Sequence, residues 1–173
     1  MLAPEALRLA ATRLAPTSDT PRLDAELLPA HALGIDRSDL QLKLRDLAAP
    51  EAFAALVDRR ASGEPIAHIT GTRDFWTLTL RVTPDVLSPR PDSETLIEAA
   101  MDHFQGKAPP ARILDLDSGS GALLLAALDE WRDATGLGVD ASDAALTVAQ
   151  YNAVRTGMAD RAGPVALGER QLH

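Results

Sequence analysis

The sequence predicts an α/β chain: an N-terminal helical bundle, a β-hairpin linker, and then an incomplete doubly wound domain of about three parallel strands. Three observations carry this. Apolar residues recur at helical spacing through the first sixty or so positions. The period changes to strict alternation around Trp76–Val82. ILDLDSGSGALLLAAL, residues 113–128, then runs from a short apolar strand through a glycine turn into a strong helix former. The boundaries follow as a helical domain over 1–64, a hairpin linker over 65–88 and the sheet domain over 89–173.

The helices are marked by their starts and stops. Pro4 to Ala15 is the first, Pro21 to Leu33 the second with Thr20 as N-cap and Gly34 as stop, then a short piece from Ser38 to Leu44, then Pro50 to Ser62 closed by Gly63. Leu7, Leu14, Leu23, Leu27, Phe53, Leu56 and Val57 form the apolar stripes that close on one another. Arg22, Asp24, Glu26, Asp58, Arg59 and Arg60 read as solvated faces, and His31 as a packed or surface histidine. In the linker, Trp76, Leu78, Leu80 and Val82 point one way and Thr77, Thr79 and Arg81 the other, with Gly71–Asp74 turning back to a first strand at Ile66–Ile69. Pro89 and Pro91 stiffen the approach to a helix from about Asp92 to Phe104.

The sheet domain repeats one unit. Ile113–Leu116 is a strand, Gly119 and Gly121 permit the tight turn, and Ala122–Leu128 is a helix. Thr135–Asp140 is a second strand with a terminal acid, and Ser142 caps a helix running from Asp143 to Thr156 and stopped by Gly157. Strand, glycine turn, helix and a second strand ending in a carboxylate make a nucleotide-type site. Backbone N–H groups at the helix start meet a polar ligand, and the carboxylate takes ribose hydroxyls.

Composition sets limits on function. A net charge of −8 gives no broad electrostatic grip on nucleic acid, so no direct nucleic-acid partner is expected. There are no cysteines, hence neither disulfides nor thiolate metal sites. No basic-then-apolar leader opens the chain and no apolar run approaches the roughly 20 residues of a membrane span, so the expectation is a cytoplasmic chain with no membrane contact. Ser118 and Ser120 lack an activating base, and His68 and His103 stand alone, so no residue is nominated as catalytic or as a metal ligand.

GEPIAHITGTRDFWTLTLRVTPDVLSPRPDSETLIEAA (63–100), followed by the glycine turn and GVDAS, resembles the protein-(glutamine) methyltransferases that modify peptide chain release factors. Gly63-Glu64-Pro65-Ile66, the hairpin, and Pro89-Arg90-Pro91 before Glu94 carry the specific part of the likeness, which extends to about Ala162. The resemblance implies a helical domain that recognises the release factor and a Rossmann-like methyltransferase domain that binds S-adenosylmethionine. It also implies methylation of the glutamine side-chain amide in a Gly-Gly-Gln tripeptide. Carried over to this chain, Asp117, Ser118, Gly119, Ser120 and Gly121 cradle the methionine end of the cofactor, Asp140 holds its ribose, and Glu169 and Arg170 flank the adenine.

The chain departs from that family at several points. Asp117 stands where the family has glycine, Arg170 where it often has an aromatic residue, and Ser88 where it has isoleucine. The family's Asn-Pro-Pro-Tyr signature, which orients the glutamine amide, is missing, since the one asparagine is Asn152, followed by Ala153, and reads as a helix-surface residue. The expectation is therefore a chain inactive alone, with two alternatives: a non-catalytic release-factor-binding module or a fragment of a longer methyltransferase. A nucleotide-binding oxidoreductase half is a third, weaker reading. Ending after three strands would leave Arg112–Leu116 as an apolar edge, which points to self-association there.

Overall fold

The structure, a computed structural model, describes residues 2–166. The chain divides into two compact units, Met1–Thr70 and Gly71–His173.

The first unit is helical throughout. It comprises α1 (Ala3–Leu14), α2 (Pro21–Leu33), α3 (Arg37–Lys43), α4 (Phe53–Ala61) and α5 (Ile66–Thr70). Its core joins Leu7, Leu14, Leu28, Phe53, Val57 and Ile69. On α2 the buried stripe is Asp24, Ala25 and Leu28, while Leu23 is 37 % exposed. The stripe through Leu23 and Leu27 read from the sequence is thus rotated toward Asp24. Asp24 itself is 2 % exposed, not solvated, because Arg60 of α4 donates to its Oδ2 at 2.7 Å and Ser18 Oγ donates to the same atom at 2.8 Å. A buried carboxylate survives only with such partners. Thr20 makes no side-chain cap; its hydroxyl lies 3.4 Å from Asp24 Oδ1 instead.

The expected first hairpin strand, Ile66–Ile69, is a single helical turn. His68 and Ile69 donate their N–H groups to the Pro65 carbonyl, and Ala67 and Ile69 bury in the helical unit. The two isoleucines favour a strand locally, and the buried Ala67 and Ile69 alternate as a strand would, but the bonds to the Pro65 carbonyl close a helical turn, from which Ile69 enters the helical core and Ile66 packs against it. The hairpin lies further on, between β1 (Thr72–Phe75) and β2 (Leu78–Arg81), with Thr72 opposite Arg81 and Phe75 opposite Leu78. Trp76 takes φ 57° in the two-residue loop. Its backbone N–H donates to Glu94 and its indole N–H to Glu130, which hold that loop in place.

The rest of the second unit is one layered sheet. A 3-10 turn at Pro91–Ser93 leads into α6 (Glu94–Phe104), followed by β3 (Arg112–Leu116), α7 (Ala122–Glu130), β4 (Thr135–Asp140), α8 (Asp143–Arg155) and β5 (Ala162–Ala166). The strands are parallel in the order β3-β4-β5, with Leu114 beside Leu137 and Leu116 beside Val139. This is the incomplete Rossmann-like layer that the sequence predicts. Leu124, Leu125 and Leu128 of α7 pack with Ala153, Met158 and Ala162 over one face. Gly136 and Gly138 of β4 make that approach possible: a Cβ on Gly136 would lie 2.6 Å from Leu124 Cδ1. Arg161 closes the layer by donating to the carbonyls of Leu128, Trp131 and Ala134 at the end of α7. On the opposite face Leu114 and Leu116 are 60 % and 67 % exposed, and β3 is an edge of the sheet among the described residues.

Candidate active site at the glycine turn

The end of β3 and the start of α7 are joined by residues 117–121, and three of these take left-handed torsions: Asp117 at φ 64°, Gly119 at 53° and Gly121 at 80°. Glycine meets no steric cost there, whereas aspartate does, although its short polar side chain tolerates the region better than most. The turn is anchored on the neighbouring strand, because Ser118 N–H donates to the Val139 carbonyl at 3.0 Å. Gly121 N–H donates to the Ser118 carbonyl at 2.7 Å and closes the turn on itself. In the first α7 turn the Leu124 N–H is bonded to the Asp115 carboxyl, at the strand's C-terminal end.

Asp140, the last residue of β4, sits beside this turn and is only 6 % exposed. Its Oδ2 accepts from Gly119 N–H and its Oδ1 from Ser142 N–H, each at 2.8 Å. Ser142 in turn caps α8 by accepting from Ala145 N–H. Each carboxylate oxygen keeps one further lone pair for a ligand hydroxyl. The structure therefore brings together Asp117, Ser118, Gly119, Ser120, Gly121 and Asp140. Arg170 and Glu169 lie outside the described residues. The Ser118 side chain turns inward: a Cβ on Gly138 would lie 3.1 Å from its Oγ, which has no hydrogen-bond partner among the described residues.

Asp115 belongs to the same site and was not nominated from the sequence. It lies on the face of β3 that carries Ile113, toward α7, where the alternation calls for an apolar side chain. Burial pushes its carboxyl above the usual range, the Leu124 backbone N–H opposes that shift, and the carboxylates of Asp117 and Asp140 add to it. Its Oδ2 is buried without a partner. A carboxylate interrupting an apolar strand just before a glycine turn was the available signal. Asp115, Asp117 and Asp140 together make the mouth of this turn acidic, which favours the cationic end of a ligand and repels a pyrophosphate.

Asn152, too, lies elsewhere than the sequence placed it. It is 1 % exposed rather than on the helix surface. Its side chain accepts from Arg81 N–H at 2.7 Å and donates to the carbonyls of Arg81 at 3.0 Å and Ser120 at 2.9 Å.

Residues 5–71 match the model of the PrmC N-terminal domain. A release factor glutamine methyltransferase of Burkholderia pseudomallei (strain K96243) is 44 % identical over 156 residues, 88 % of this chain and 54 % of that protein. Over that stretch the chain is similar to the release factor glutamine methyltransferases. That of Escherichia coli (strain K12) is 43 % identical over 140 residues, 79 % of this chain and 50 % of its own length. The chain thus spans about half the length of the curated methyltransferases it matches. Among solved structures, a SAM-dependent methyltransferase from Geobacter sulfurreducens in complex with S-adenosyl-L-homocysteine is 31 % identical, with a TM-score of 0.36, covering 44 % of this chain and 29 % of that one. Among the described residues no group of acids and histidines forms a metal site, and no helix is long and apolar enough to cross a membrane.

Proposed function

We propose that this chain binds S-adenosylmethionine at the 117–121 turn and Asp140, engages a peptide chain release factor through its helical unit, and transfers no methyl group alone. The observation that carries this reading is the acidic turn at the start of α7. S-adenosylmethionine presents an ammonium and a sulfonium against one carboxylate, so Asp115 and Asp117 suit its methionine end. The free lone pairs of Asp140 suit its ribose hydroxyls. A dinucleotide would bring its pyrophosphate to the same three acids, which disfavours the oxidoreductase reading.

The family's reaction is methyl transfer to a glutamine amide nitrogen, and the cofactor supplies the electrophilic methyl. The part a protein plays there is to hold the amide in line, and such positioning accounts for roughly 7–11 kcal/mol of barrier reduction. In this chain the one asparagine is Asn152, and its amide is committed to Arg81 and Ser120. That commitment leaves the Asn152 amide unable to orient the glutamine, which supports a binding half that does not turn over. The exposed β3 edge is the surface at which two copies would meet, a point that sedimentation velocity decides.

Calorimetric titration with S-adenosylmethionine tests the binding, with saturable one-to-one heat expected. Mass analysis of a Gly-Gly-Gln-containing release factor after incubation with chain and cofactor tests the second part. A gain of one methyl group on the glutamine would overturn the claim of inactivity, and absence of heat would overturn the site.

A further inference from the structure

We propose that Asn152 is a positioning residue for the cofactor turn: it locks the peptide between Ser120 and Gly121 in the orientation that closes the turn on itself. The inference rests on the cofactor reading given above. Both ends of that peptide are held. The Ser120 carbonyl accepts from Asn152 Nδ2 at 2.9 Å, and the Gly121 N–H donates to the Ser118 carbonyl at 2.7 Å. Gly121 follows the bond at φ 80°, and glycine passes between backbone regions at little cost, so this peptide flips readily unless it is held. A flip would replace the Gly121 N–H by the Ser120 carbonyl facing the Ser118 carbonyl, opening the turn from which the α7 start and Gly119 meet a ligand.

The chemistry of an amide is specified at this position. Both N–H groups of Asn152 meet carbonyls and its oxygen meets an N–H, so the side chain fits in one orientation only. An aspartate of the same shape would face two carbonyls with a bare oxygen. An alanine would leave the Arg81 N–H, the Arg81 carbonyl and the Ser120 carbonyl without this partner, at a site that is 1 % exposed at Asn152. Because Arg81 is the last residue of β2, the same amide ties the hairpin to the turn.

The test uses the full chain and S-adenosylmethionine as probe. Asn152→Asp and Asn152→Ala are titrated beside Leu128→Ala, which removes a comparably buried side chain near the other end of α7 from the turn. The expected result is cofactor affinity weakened about tenfold or more in both Asn152 variants, and within about twofold of the parent in Leu128→Ala despite a lower melting midpoint. For Asn152→Asp the affinity should recover as pH falls and the carboxyl regains a proton to donate to one of the two carbonyls. Asn152 variants that bind like the parent, or a Leu128→Ala loss as large as theirs, would overturn the proposal. If the parent binds no cofactor, the reading of function fails by itself. Hydrogen exchange of the Gly121 N–H then decides the present point without ligand or variant. Protection matching the α7 interior supports the lock, and exchange at the rate of an open loop refutes it.

Discussion

Replacing Arg60 by methionine should unfold the helical unit at a far lower temperature than the surface position of many arginines would suggest. The methionine keeps most of the packed stem and removes only the guanidinium. Asp24 is then left 2 % exposed with its strongest donor gone, since Arg60 Nε stands 2.7 Å from Oδ2. Breaking a buried pair from one side costs about 3–5 kcal/mol. The hydroxyl of Ser18 still donates at 2.8 Å, which places the expected loss near the lower end. A unit of this size has a total stability of roughly 4–10 kcal/mol, so the loss is a large share of it. The midpoint of the helical transition should fall on the order of 12–24 °C, followed as ellipticity at 222 nm during heating. The double variant Asp24→Asn with Arg60→Met should recover part of that loss, because a neutral amide is less costly to bury than an unpaired carboxylate. A fall of less than about 4 °C in Arg60→Met would show that the pair behaves like a solvated surface bridge, and would refute the reasoning.

Gly136→Ala should destabilise the second unit by about 1–3 kcal/mol, measured by urea unfolding, because the new Cβ would lie 2.6 Å from Leu124 Cδ1 and 3.1 Å from Leu128 Cδ1. Asp115→Asn should raise the stability of that unit at neutral pH. The folded chain holds the Asp115 proton more tightly than the unfolded chain does, so parent stability falls as pH rises from the unfolded carboxylate range through the raised folded value. The advantage of the variant should therefore shrink on acidification, and melting curves at several pH values would check this. Asp117→Gly should stabilise the turn by about 1 kcal/mol by relieving the left-handed torsion. It should also bring the Asp115 carboxyl back toward its ordinary range, which a carbon-detected NMR titration would follow.

Much of the fold was legible because its signals are local. Gly34 ends α2 in a left-handed torsion, Ser142 caps α8, and β4 runs from Thr135 to Asp140, ending in its acid. What escaped the sequence depends on partners far along the chain. Asp24 meets Arg60 across 36 residues, and Asn152 meets Arg81 across 71. A polar residue with a distant partner looks like any other surface residue until the chain is folded. Ile66–Thr70 failed because its β-branched residues and the alternate burial of Ala67 and Ile69 both match a strand, while the bonds to the Pro65 carbonyl that close the helical turn leave no mark in the residue pattern. At the candidate site the glycines and Asp140 announced themselves by type and spacing. Asp115 did not, because one acid in an apolar strand reads as an interruption.

The division at Thr70 also separates the chain optically. Trp76, Trp131 and Tyr151 all fall in the second unit, and Phe53 is the one aromatic residue of the first apart from its histidines. Intrinsic emission from this protein is therefore a report on the hairpin and sheet alone. Trp76 is especially informative, since its indole N–H is bonded to Glu130 and its spectrum shifts to longer wavelength when that bond opens to water. A change confined to the five helices of the first unit would leave the emission dark to it and would register only in far-ultraviolet ellipticity.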